Sequence, residues 1–190
     1  MAEKFIVEIS ARHIHLSKKD LETLFGEGYE LTPKKDLSQP NQFACEEKVC
    51  VKGSRSEMNV TILGPTRKET QLELSLTDAR VLGVEAKIRE SGNIEGTMGI
   101  TIVGPKGEVT VDKGVIAAKR HVHMTSKDAE TYNVKNGDIV NVKVESEDRE
   151  TIFGDTVIRV SDSYALAMHI DTDEANAAGI KGCTKGEIVR

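Results

Sequence analysis

The sequence predicts a mainly β protein with short helices, arranged as two pseudo-symmetric small β-barrels that arose from an internal duplication. Three observations predict it. A twelve-residue segment occurs twice, as RHIHLSKKDLET at 12–23 and RHVHMTSKDAET at 120–131, with seven of twelve positions identical and an offset of 121 − 13 = 108 residues. Much of the remaining chain consists of short Val/Ile alternations bounded by Gly, Pro, Asp or Asn, the pattern of short strands joined by turns. The helical stretches are few and brief, so the apolar faces have to be buried strand against strand, as in barrels.

The elements follow in order. KFIVEIS at the N-terminus reads as a strand and leads into His13-x-His15. Ser17 then stands as the N-cap of a short helix. Asp20 completes a capping box in place of the usual Glu or Gln, and the helix ends near Gly26. Residues 31–43, LTPKKDLSQPNQF, hold two prolines and little periodicity, and read as an ordered loop of the kind that covers a site. KVCVKG and MNVTILG are strands, and QLELSL is a strand that leads to a helix start at Thr77-Asp78 and a stop at Gly83. GITIVGP and VTVDKG are strands, and GVIAAKR leads into the second copy. There His121-x-His123, Thr125 and Asp128 repeat the first grammar. DIVNVKVE and DTVIRVS follow, then LAMHI before Thr172-Asp173. Segment 166–179 therefore resembles 71–83, with a register slip of about one residue.

Composition narrows the function classes. The net charge is 26 − 31 = −5, which argues against nucleic acid as the main partner. Trp is absent and aromatics are 4%, so base-stacking platforms are not expected. No apolar run approaches the roughly 20 residues of a membrane helix. The N-terminus lacks a signal-peptide pattern and the three cysteines are odd in number, so a cytoplasmic protein with reduced thiols is expected. Phosphate-binding Walker loops, nucleophile elbows and dinucleotide fingerprints are all missing.

The chemistry concentrates on histidine. Only five are present, and His13, His15, His121 and His123 form the two His-x-His pairs. In a strand, residues i and i+2 share a face, so each pair presents two imidazoles side by side. Zinc suits imidazole and takes about four ligands. A lone His-x-His is weak evidence for metal; two at matching repeat positions are much stronger. His169 precedes the second Thr-Asp, and the repeat nominates Glu73 as its counterpart. His169 could also be a satisfied core histidine, and Glu73 an exposed strand residue. Arg67, in GPTRKETQLE, could fork onto phosphate oxygens or lie free on the surface. Arg12 and Arg120 adjoin the clamps, with either a supporting or a solvent-facing role. Three ligands per clamp leave an open position, which favours catalysis over a closed structural or sensor site. A dinuclear zinc hydrolase acting on thioesters is the rival enzyme class.

RHIHLS, GYELTPKKDLSQP, GPTRKETQLELSLTDA, RHVHM and MHIDTDEANAAG together resemble the PduL-type phosphate acyltransferases, also called phosphotransacylases or phosphate propanoyltransferases. The resemblance runs from about Val7 to about Cys183. It implies a first barrel half over 28–115 and a second over 116–190, completed by the N-terminal segment 1–27. It implies two zinc ions between the barrels, one held by His13, His15 and Glu73 and the other by His121, His123 and His169. Arg67 would bind phosphate and act in catalysis. The reaction implied exchanges acyl-CoA plus phosphate for acyl phosphate plus CoA, in a homodimer. Members packaged in microcompartments carry an N-terminal targeting helix, for which Lys4 leaves no room. A cytoplasmic enzyme handling acetyl or propanoyl groups is therefore expected.

Overall fold

The computed structural model describes residues 3–189. In chain order the strands are β1 (Phe5–Ile9), β2 (His13–His15), β3 (Pro33–Asp36), β4 (Phe43–Lys52), β5 (Glu57–Gly64), β6 (Gln71–Glu73), β7 (Lys87–Arg89), β8 (Met98–Val103), β9 (Glu108–Ala118), β10 (His121–Met124), β11 (Ile139–Val144), β12 (Thr151–Val160), β13 (Ala167–Ile170) and β14 (Thr184–Val189). The helices are α1 (Lys18–Phe25), α2 (Leu76–Leu82), α3 (Ser126–Tyr132) and α4 (Thr172–Ala177).

The chain divides into two compact units, and each closes a six-stranded ring. One unit joins the segment through Ser10, Ser38–Pro40 and the chain from Lys119 onward. Its barrel runs β1-β13-β10-β12-β11-β14 and closes through β14 on β1. The other unit holds Ala11–Leu37 and Asn41–Ala118. Its ring runs β4-β5-β2-β6-β9-β8 and closes through β8 on β4, with β3 added at the start of β4 and β7 at the end of β9.

The two rings share one pairing grammar. β2 runs parallel to β5 and antiparallel to β6; β10 runs parallel to β12 and antiparallel to β13. β6 then pairs in parallel with β9, as β13 does with β1. So β1 and β9 are counterparts. Each leads in sequence into one His-x-His, yet each is hydrogen-bonded into the ring that carries the other. The sequence reading drew the N-terminal contribution to the second barrel out to residue 27, whereas the division falls after Ser10. The reason is that His13–His15 pairs with β5 and β6, and Leu21 and Leu24 of α1 are buried in the same core as Ile14 and Leu16.

Alternation decides which side chains face each core. Ile14, Leu16, Leu72 and Leu74 are buried in one, Val122, Met124, Met168 and Ile170 in the other. The intervening residues of the same strands, including all the candidate ligands, face the opposite way. Truncating any of these side chains to Ala costs about 2–5 kcal/mol, because the lost transfer energy is compounded by a cavity.

Three local expectations change. First, α2 begins at Leu76, one residue before Thr77, with Ser75 as its N-cap, while α4 does begin at Thr172, with Asp171 as its N-cap; both N-caps are extended and accept a hydrogen bond from the backbone N–H three residues on. With these caps the offset is 171 − 75 = 96, the same as 169 − 73 = 96, and the register slip disappears. Second, β9 fuses two predicted strands. It bends at Gly114, where φ is +121° and a Cβ would fall 2.6 Å from the Thr70 carbonyl oxygen. Third, the 31–43 segment contains β3, whose residues are all exposed, so no alternation marked it. Beyond it, buried Gln39 is clipped to the main chain of Ala165. Its Nε2 donates to the carbonyl at 2.9 Å, and its Oε1 accepts from the amide at 3.2 Å.

Candidate metal centres

The first cluster is built on β2 and β6. His13 and His15 share a face, with ring centroids 5.0 Å apart, and the register sets Glu73 directly opposite His13. All three are buried. A carbonyl oxygen can only accept, so Nδ1 of His13 donates to Ala11 at 2.8 Å, and Nδ1 of His15 to Leu63 at 3.2 Å. Both Nε2 atoms are left facing the carboxylate: His13 Nε2 is 3.5 Å from Glu73 Oε2, and His15 Nε2 is 4.0 Å from Glu73 Oε1. Ligands at the usual zinc distance in a tetrahedron stand roughly 3.4 Å apart, so this spacing suits one such ion.

The carboxylate is anchored from behind. Glu73 Oε1 accepts from Gln71 Nε2 at 2.7 Å and from Ser91 Oγ at 2.9 Å. Ser91 Oγ in turn accepts from Gln71 Nε2 at 2.8 Å and from Arg67 Nη1 at 3.0 Å. The Gly92 amide donates to Gln71 Oε1 at 2.7 Å and fixes the orientation of that side-chain amide. Arg67 is thus tied through one hydroxyl to the carboxylate of the cluster.

The second cluster is built on β10 and β13 in the same register, with His169 opposite His121 as Glu73 is opposite His13. Nδ1 of His121 donates to the Lys119 carbonyl at 2.8 Å, the counterpart of the His13–Ala11 bond. The ring centroid of His123 lies 4.6 Å from that of His121, 5.1 Å from that of His169 and 4.2 Å from that of Tyr164. His123 Nδ1 is buried and has no hydrogen-bond partner among the described residues. An unmet buried polar atom costs about 1–3 kcal/mol, which a bound cation would offset. In each cluster the three donor atoms lie within 4.8 Å of one another. The donor sets, His-His-Glu and His-His-His, with His13, His15 and His121 tethered to carbonyls, are those that zinc takes in open sites.

Electrostatics separates the clusters. Burial alone would raise the Glu73 pKa, but the charges and hydrogen bonds of His13, His15 and Ser91 hold it well below the carboxylate range. Burial opposes protonation of His13, yet the Glu73 charge raises its pKa, so a proton competes there with a metal. Burial, with His13 and Arg67, pushes His15 down to about 3. Burial, with His121, His169 and Arg159, pushes His123 down to about 2. His15 and His123 are therefore neutral and able to ligate at neutral pH.

The structure brings all six predicted ligands into these groups and sets Arg67 beside the first. Gln71, Ser91, Glu8 and Tyr164 were not foreseen. Gln71 was legible, lying two residues before Glu73 on one strand face; Ser91 and Glu8 come together with the ligands only through tertiary pairing. Arg12 and Arg120 bind the first turns of α2 and α4, at Asp78 (3.0 Å) and Glu174 (2.7 Å). No cysteine joins either group; burial raises the Cys45 thiol to about 11.

Two closed barrels from a duplicated sequence, each displaying a cluster of three donors that could hold a metal ion, define a class of duplicated β proteins with candidate metal sites. Among such proteins the assignment is specific: residues 6–181 match the family model for phosphate propanoyltransferase. The chain belongs to that family. It is 60% identical to a phosphate propanoyltransferase of Thermotoga maritima over 91% of this chain and 83% of the relative. It is 59% identical to one of Sebaldella termitidis, over 99% and 89%, and 54% identical to one of Clostridioides difficile, over 99% and 90%. No helix among the described residues is long and apolar enough to cross a membrane.

Proposed function

We propose that this chain is a metal-dependent phosphate acyltransferase that interconverts acyl-CoA plus phosphate with acyl phosphate plus CoA. Zinc, held by His13, His15 and Glu73 and by His121, His123 and His169, is the metal that suits these donors. Bound metal would supply Lewis acidity toward the thioester oxygen and stabilise a departing thiolate. The observation that carries the reading is Arg67, a half-buried cation hydrogen-bonded to the same Ser91 hydroxyl that donates to Glu73.

The chain's own residues define the rest. Arg67 offers planar paired donors for phosphate oxygens and offsets their charge at the cluster. A phosphate oxygen attacks the thioester carbonyl carbon; the C–O bond forms, the C–S bond breaks, and CoA leaves as thiolate and is protonated by solvent. No side chain need become acylated. Gln71 and Ser91 keep the Glu73 carboxylate from turning toward the incoming anion.

Release of CoA thiol from acetyl-CoA and propanoyl-CoA, measured with and without phosphate and before and after metal removal, tests this reading. Phosphate-dependent release that stops on chelation and returns with zinc is expected. Metal-dependent release indifferent to phosphate would replace it with thioester hydrolysis.

A further inference from the structure

The second cluster carries a carboxylate that the reaction above does not use. Glu8 lies on β1, directly paired with His169 of β13 in a parallel register. Its Oε2 stands 3.8 Å from His169 Nδ1. That separation is longer than a hydrogen bond. The Ser38 hydroxyl donates a short hydrogen bond to the same Oε2. The next residue, Gln39, is locked by two hydrogen bonds to Ala165, two positions before β13's Ala167. A three-residue strap therefore holds Glu8 from one side while the strand ladder places it beside His169 from the other.

The repeat supplies an internal control. In the first ring the strand equivalent to β1 is β9, and the residue paired with Glu73 is Ile116. Each cluster thus has one carboxylate on these two strands, at different positions. In the first, the ligand position is Glu73 and its neighbour is apolar; in the second, the ligand position is His169 and its neighbour is Glu8. A carboxylate opposite Glu73 would repel it. A carboxylate opposite a histidine holds the ring's orientation, raises the basicity of its ligating nitrogen and balances part of a dication's charge.

We propose that Glu8 is the positioning carboxylate of the three-histidine centre, orienting His169 for its metal, and that Ser38 fixes Glu8 in that role. This rests on the metal reading given above. The test is zinc affinity of each site in the full chain, by competition with a chromophoric chelator, alongside the visible spectrum of the cobalt-substituted protein. The wild type should hold two ions, and His123→Ala should lose one. Glu8→Gln, which keeps shape and a hydrogen-bonding oxygen for Ser38, should weaken that one site by about ten- to a hundred-fold and shift its cobalt bands. It should leave the His123→Ala-resistant site and the metal-free melting temperature unchanged. Ser38→Ala should weaken the same site less. Wild-type affinity at both sites in Glu8→Gln would overturn the role of Glu8 while leaving the centres standing. Equal weakening of both sites, or a lower metal-free melting temperature, would reduce Glu8 to a structural residue and overturn it as well. A wild type that takes up no metal would remove the metal reading and this proposal together.

Discussion

The two clusters are built on one strand grammar and differ mainly in where their negative charge sits. In the first, the carboxylate is itself a donor, buried and held by Gln71 and Ser91. In the second, it stands one strand away, partly exposed, with a third imidazole in the donor position. The difference teaches that duplication conserved the register while the local charge was redistributed. With a dication bound, the one carboxylate of the first donor set would leave a net charge of +1, with the Arg67 guanidinium tied to that carboxylate through Ser91. The second donor set has no carboxylate and would carry +2 before Glu8 beside His169 is counted, and Tyr164 lies against the His123 ring.

The largest effect should come from removing a donor. Glu73→Ala and His123→Ala should each lose one equivalent of metal and lower activity beyond the ~10–100-fold typical of an outer partner, as metal analysis and CoA release together would show. Full activity in either variant would dissolve the distinction between the two centres.

Arg67→Ala comes next. It should raise the KM for phosphate about 10–100-fold, the loss of a charged hydrogen bond of about 1.5–3 kcal/mol, with metal content unchanged. Loss of metal from this variant would mean that Arg67 supports Glu73 through Ser91 rather than binding phosphate.

Acid should distinguish the clusters in the metal-free protein. His15 and His123 have folded-state pKa values of about 3 and about 2, far below an unfolded histidine. A depressed histidine favours the neutral native form, so the unfolded chain binds more protons as pH falls below about 6.5, and stability drops by up to ~1.4 kcal/mol per pH unit for each group. His13, raised by Glu73 against the pull of burial, titrates the opposite way and offsets His15. Amides of the three-histidine barrel should therefore lose hydrogen-exchange protection first between pH 6.5 and 4. Equal loss in both barrels would show that the His13–Glu73 pair gives no protection.

The smallest difference lies in the caps. Thr125 and Asp128 close a reciprocal capping box. In the first half, Thr70 enters the box instead: its hydroxyl accepts from the Ser17 amide at 2.9 Å and donates to Asp20. Thr70→Val should cost about 1–2 kcal/mol in denaturant unfolding, with Thr70→Ser recovering most of it. An unchanged midpoint would show that Ser17 and Asp20 suffice, as their counterparts do.

Much of this was legible in particular residues. Period-two spacing placed His13 with His15 and His121 with His123, and repeat position nominated Glu73 against His169, which the strand registers set opposite His13 and His121 respectively. Ser17 and Thr125 were readable as caps because a short oxygen-bearing side chain before a helix has few other uses. Thr77 misled because Thr-Asp is an equally good local signal, and only the helix geometry shows that Ser75 accepts the bond instead. β3 was hidden because a strand exposed on both faces has no hydrophobic period to read.

What the sequence determined by itself was whatever local spacing controls: the duplication, the short-strand class, the shared faces of the histidine pairs and two helix starts. Which ring receives β1 and β9 is set only by hydrogen bonding between strands distant in the chain. The same long-range pairing brings Ser91 behind Glu73 and Glu8 beside His169. Backbone ladders satisfy every strand's polar groups alike, so partner choice depends on the fit of whole apolar faces, and no window along the chain contains that information.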